Sequence, residues 1–161
     1  RTASLCERYL ALAAEALAAE ASVFTRPATD AFERNLDACA AGHPGRADAW
    51  RAAAVHTLNA AWAPERALTR FRSLEAGGVP ARLDRPARGR LQLDAAFALL
   101  RLGRRPEANA LLRASLASAP TPKAARLAIG LGEALDDAAE TARNHTGSAP
   151  PARPQAGGSA P

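Results

Sequence analysis

Few side chains in this sequence are placed for chemistry, and the pair with the clearest consequence is Cys6 and Cys39. Two cysteines allow one disulfide, which points to an oxidising compartment. A helix after Cys6 and another before Cys39 make an antiparallel hairpin that brings the two together, but its arms are unequal. Cys6 stands about 27 Å from Phe24 and Cys39 about 14 Å from Asp30 at ~1.5 Å per helical residue. The bridge therefore closes only if the segment Thr25–Thr29, read as a loop, runs back along the first helix. Two buried thiols are the alternative, because free cysteine packs as a small hydrophobe. A bridged pair implies a periplasmic or secreted bacterial protein, and free cysteines imply a cytoplasmic one. The sequence opens on Arg1 and holds no methionine, as expected of a chain that has lost a leader or been excised from a longer one.

The other reactive residue types do not converge. His43, His56 and His145 lie far apart, and none has a second ligand at helical spacing, so no metal site is expected. Gly130-Leu131-Gly132 sits in a helical run and follows no strand, which argues against a phosphate loop. Asp136, Asp137 and Glu140 read as a solvated helix edge, and no serine or cysteine has a base beside it in sequence. Asn144-His145-Thr146 matches a glycosylation acceptor, here read as coincidence. The expectation is a protein that is not an enzyme, with no cofactor and no small-molecule substrate.

The net charge is +5, yet Lys123 is the only lysine among 21 cationic residues, and the arginines are interleaved with 16 acids. That pattern reads as arginine-biased coding and a solvated basic surface, not as a nucleic-acid stripe. No apolar run approaches the ~20 residues that span a bilayer, so no membrane insertion is expected.

About a quarter of the chain is alanine, and 4% is aromatic. Alanine is the strongest helix former, and no stretch alternates as a strand would. Ser4 with Glu7, and Asp30 with Glu33, read as capping boxes that start helices at Leu5 and near Phe32. Gly42 and Pro44 close the second helix. A third is expected over Asp48–Ala61 and a fourth from Pro64 to Gly77, followed by a loop over Gly77–Pro86. From Arg88 to Pro120 two amphipathic runs, Leu91/Ala95/Leu99/Leu102 and Ala108/Leu111/Leu112/Leu116, flank Gly103, which suits a left-handed helix end. Thr121-Pro122 starts a seventh helix through Leu127, Leu131 and Leu135, fraying near Asn144. The domain reading is a helical domain over 1–143 and a disordered Pro/Ala/Gly-rich tail over 144–161.

The central hairpin carries Ala108, Leu112, Ser115 and Pro120 after Gly103, with Ala96 and Leu99 before it. This spacing resembles the tetratricopeptide repeat, whose period is about 34 residues. Counting one period on from Ala96 reaches Gly130, with Ile129 where Ala95 stood. Phe32, Leu36, Cys39 and Pro44 share the second-helix spacing. Ala67 and Phe71 fit it, whereas Leu74 departs from it. The resemblance implies an all-α, right-handed α-solenoid of about seven helices in stacked antiparallel hairpins. Its concave groove, lined by the first helix of each hairpin, would bind a peptide or helix of another protein. Carried over by position, the groove residues are His56, Asn59, Arg90, Phe97 and Arg101. The implied function is a non-enzymatic protein–protein interaction scaffold in a bacterial envelope or secretion assembly. The rival readings are a nucleic-acid-associated helical protein and an accessory helical module of a larger enzyme.

Overall fold

Helix-favouring composition dominates the folded chain. The computed structural model describes residues 2–19 and 25–132, and among these there is no strand. The helices are α1 (Ala3–Ala19), α2 (Thr25–Gly42), α3 (Pro44–Ala60), α4 (Pro64–Ala76), the single turn α5 (Val79–Arg82), α6 (Arg85–Arg101) and α7 (Arg105–Ser118). An eighth, α8, is described over 122–132. The far end of the seventh expected helix, with Leu135 and the acidic edge at Asp136, Asp137 and Glu140, lies outside the described residues. So do the Asn144 motif and the tail over 144–161.

The helices pack largely in chain order: α1 on α2, α2 on α3, α3 on α4, and α6 on α7, with α3 and α4 both against α6. Helix α3 is the hub. Its Ala54, and Ala61 just past its end, cluster with Leu17, Phe32 and Leu36 of α1 and α2. Its Val55 and Leu58 join a second cluster with Phe71 of α4 and with Leu91 and Leu99 of α6. In the central hairpin Gly103 takes the left-handed conformation, φ 73°, and Pro106 falls in the first turn of α7. At α8, the Thr121 hydroxyl accepts from the Ala124 amide at 3.2 Å. The count to the next repeat departs there, because Ile129 is 62% exposed whereas Ala95 is fully buried.

Several element boundaries differ from the sequence expectation. The segment Thr25–Thr29 is not a loop but the first part of α2. Pro27 is accommodated there because the first helical turn has no internal partner for an amide hydrogen. Neither capping box forms: Thr2 caps α1, its hydroxyl accepting from the Leu5 amide at 3.4 Å, and Asp30 and Glu33 lie inside α2 and pair with Arg66 of α4. Helix α3 begins at Pro44, earlier than Asp48, because proline suits a first turn. Helix α6 begins at Arg85, where Asp84 accepts from the Ala87 amide at 2.7 Å. The expected loop Gly77–Pro86 contains α5. Val79 is buried in the core there, and Arg88 donates to the carbonyls of Pro80 at 2.7 Å and Leu83 at 3.1 Å.

The extension of α2 also closes the disulfide. With helix from Thr25, Cys39 stands about 21 Å from the start of its arm, and Cys6 about 20 Å from Ala19, at ~1.5 Å per residue. The arms match without a loop running backwards, and Cys6 and Cys39 are bridged, with Cα atoms 5.9 Å apart. Both are buried. The bridge closes a separation of 33 residues, worth about 3–4 kcal/mol in the chain-entropy picture. Protein made under oxidising conditions should weigh two hydrogens less than the reduced chain. Replacing both cysteines by serine should lower its urea-unfolding free energy by about that amount.

A close helix contact lies at the far end of the α6–α7 hairpin. A Cβ on Gly89 would stand 2.8 Å from the Ala119 Cβ and 3.2 Å from the Ser115 carbonyl. The Ser115 hydroxyl donates to the Gly89 carbonyl at 2.7 Å, locking that approach. Alanine normally stabilises a helix interior by about 1 kcal/mol over glycine. Here the sign should reverse: Gly89→Ala should destabilise by about 1–3 kcal/mol through overpacking, read as a lower thermal midpoint.

A candidate partner-binding groove

Helices α3 and α6 run side by side, and polar side chains facing the seam join them. The Asn59 amide donates to the Asp94 backbone carbonyl at 2.5 Å, and His56 Nδ1 lies 3.0 Å from Asp94 Oδ1. Arg101 of α6 donates back to the Asn59 backbone carbonyl. A carbonyl only accepts, so the Asn59 nitrogen must face Asp94 and its Oδ1 must point away. That oxygen is buried and receives no hydrogen bond.

All five groove positions expected from the sequence, His56, Asn59, Arg90, Phe97 and Arg101, line one cavity of about 310 Å³. Leu93, Asp94, Ala60 and Lys123 of α8 complete its lining. A neighbouring cavity of about 380 Å³ continues along the same seam, sharing His56, Arg90 and Asp94 and walled by alanines of α3. Phe97 is half-buried, neither fully inward nor free, and the Lys123 ammonium lies 4.8 Å from its ring centre. The Arg101 guanidinium lies 4.5 Å from the ring centre of Trp62.

Asp94 and Lys123 of this lining, and Trp62 beside Arg101, were not expected from the sequence. Asp94 carried a signal, being an acid within the buried run Leu91, Ala95, Ala98 of α6. Lys123 carried only its singularity as the sole lysine. Trp62 sits in a turn, outside any helical periodicity.

The groove is electropositive. Arg90, Arg101 and Lys123 are exposed at its rim, and Asp94 is the only acid in its lining. Burial pushes the Asp94 carboxyl above its ordinary value, against the opposing pull of its His56 hydrogen bond and of Arg90 and Lys123. The larger cavity, about 610 Å³ between α2, α3, α4 and α5, is different. Four acids there face four arginines. Arg66 pairs with Asp30 and Glu33, Arg70 with Glu33 and Asp37, and Arg82 with Asp48. The charges in these pairs are spent on joining helices. No family model, curated protein or solved structure matches the chain. No described helix is long and apolar enough to cross a membrane.

The raised Asp94 value has a definite sign in stability. A carboxyl harder to ionise when folded favours the fold most while protonated, and that contribution is lost as pH rises through its folded value. Asp94→Asn keeps an acceptor for His56 and removes the ionisation. The variant should therefore gain stability relative to the parent as pH is raised from acid to neutral, in paired urea titrations. A difference independent of pH would show that Asp94 carries no such penalty.

Proposed function

We propose that this chain is a tetratricopeptide-like helical array acting as a non-enzymatic scaffold, and that the α3–α6–α8 groove holds an acidic, extended segment of a partner protein. The observation that carries this reading is the convergence of Arg90, Arg101, Lys123 and His56 on one cavity with a half-buried aromatic wall at Phe97. Arginine forks hold carboxylates in two-point contacts, and an apolar wall gives the partner's side chains somewhere to be buried.

Repeat character draws support from the chain spacing of contacts between alternate helices. The α2–α4 ion pairs join residues 33, 36 and 37 apart in sequence, close to the family period of about 34. Contacts one period apart are what equivalent helices of neighbouring repeats make. The buried disulfide fits an oxidising compartment such as a bacterial periplasm or the exterior.

A peptide suits the groove better than a nucleic acid. Phosphate backbones gain nothing from the apolar surface of Phe97, Leu93 and Ala60. The test is selection from a phage-displayed random peptide library on the immobilised, oxidised protein. Selected peptides should be enriched in Asp and Glu. Arg90→Glu and Lys123→Glu should each weaken their binding by about tenfold or more, as like charges meet at the rim. Selection without acidic enrichment, or binding unchanged by both reversals, would remove the groove reading. A labelled single-stranded oligonucleotide that outcompetes every selected peptide, with a steep salt dependence, would favour nucleic acid instead.

A further inference from the structure

Two turns in this fold are built alike, and one of them holds an unexpected residue. After α6, the amides of Leu102, Gly103 and Arg104 donate to the carbonyls of Ala98, Leu100 and Leu99. After α3, the amides of Ala61, Trp62 and Ala63 donate to Thr57, Asn59 and Leu58 in the same pattern. Gly103 occupies the left-handed position of the first turn with φ 73°, and Trp62 occupies that of the second with φ 55°. Glycine adopts that conformation freely, whereas a bulky side chain there is an outlier. Trp62 is the only non-glycine residue with positive φ among those described.

Core packing does not account for the indole, because Trp62 is 68% exposed. Arg101 does not account for it fully either. Its guanidinium covers part of the ring, but it is already held across the α3–α6 seam by the Asn59 carbonyl. The strained turn thus carries a large, flat, mostly uncovered apolar surface beside a residue that lines the cationic groove. Strain of this kind persists where a side chain is needed at that place.

From this we infer that Trp62, backed by Arg101, is the recognition platform at one end of the α3–α6 groove, and that it takes an aromatic side chain of the bound acidic segment. The inference rests on the groove reading above and adds to it the residue class at one position. An aromatic ring fits because offset stacking or edge-on packing against the indole gains beyond simple burial. The cationic rim supplies the selectivity for acids on either side of that ring.

The experiment repeats the peptide selection with two baits, the parent and Trp62→Gly, and melts both proteins. The parent should enrich peptides carrying an aromatic residue among acids. Trp62→Gly should enrich acids as strongly and lose the aromatic preference, and Trp62→Phe should keep it. Trp62→Gly should melt no lower than the parent, because glycine suits the turn. The inference is overturned by an aromatic preference that survives in Trp62→Gly, or by its absence in the parent. It is also overturned if Trp62→Gly melts several degrees lower, since the indole would then serve the fold. Loss of acidic enrichment from both baits would instead sink the groove reading itself.

Discussion

Close approach of helices is the constraint on which this fold depends. Many of the contacts between helices are made by side chains of one carbon: Ala54, Ala61, Ala67, Ala95, Ala96, Ala98, Ala108 and Ala124 are all buried, and at Gly89 not even a methyl group fits. Burying alanine fixes no side-chain rotamer, so its ordering cost is confined to the backbone. The larger residues gather in two clusters, Leu17, Phe32 and Leu36 in one and Leu58, Phe71, Leu91 and Leu99 in the other, with alanines set between them. Such a core gives each helix pair little apolar area but brings backbones near enough for side chains to reach a neighbouring main chain. Asn59 reaching Asp94, Ser115 reaching Gly89 and Arg101 reaching Asn59 are that proximity expressed as hydrogen bonds. The groove is therefore a product of how closely α3 and α6 pack.

Local chemistry was read well from the sequence where one chain segment decides it, and poorly where a distant segment competes. Gly103, Pro106 and Thr121 do what their types favour, each within its own turn. Asp30 and Glu33 have the spacing of a capping box, yet they are drawn to Arg66 on a helix far along the chain. With the cap withdrawn, the helix continues back to Thr25, and that same extension lets Cys6 and Cys39 meet. Within Gly77–Pro86, proline and glycine suggest an irregular loop, but Val79 finds a buried site and the arginines at 82 and 88 tie the carbonyls of the segment. The five groove residues came from the positions that the repeat resemblance implies, and they line one cavity because they share one face on each of two neighbouring helices. The resemblance could not supply Asp94, whose role arises from burial against α3, nor Lys123, which arrives from α8. It had no means of finding Trp62, whose importance is a backbone angle.

The two charged regions use arginine in opposite ways. Between α2 and α4, each guanidinium is matched to carboxylates, Arg66 to Glu33 at 2.8 Å and Arg70 to Asp37 at 3.1 Å. An anion approaching those arginines meets a field already cancelled at short range. Along the α3–α6 seam the cations rest on rings, Arg101 on Trp62 and Lys123 on Phe97. A ring's quadrupole orients a cation and lowers its energy without neutralising its charge. The one carboxyl in that lining is pushed by burial toward its neutral form. The positive field of the groove therefore remains open to solvent while the side chains that produce it are held in place. A surface evolved only for solubility has no reason to fix its cations in this manner, because mobile arginines keep water contact at less entropic cost. Fixed, uncancelled charge beside apolar walls is the condition under which an incoming carboxylate gains most from the first contact it makes.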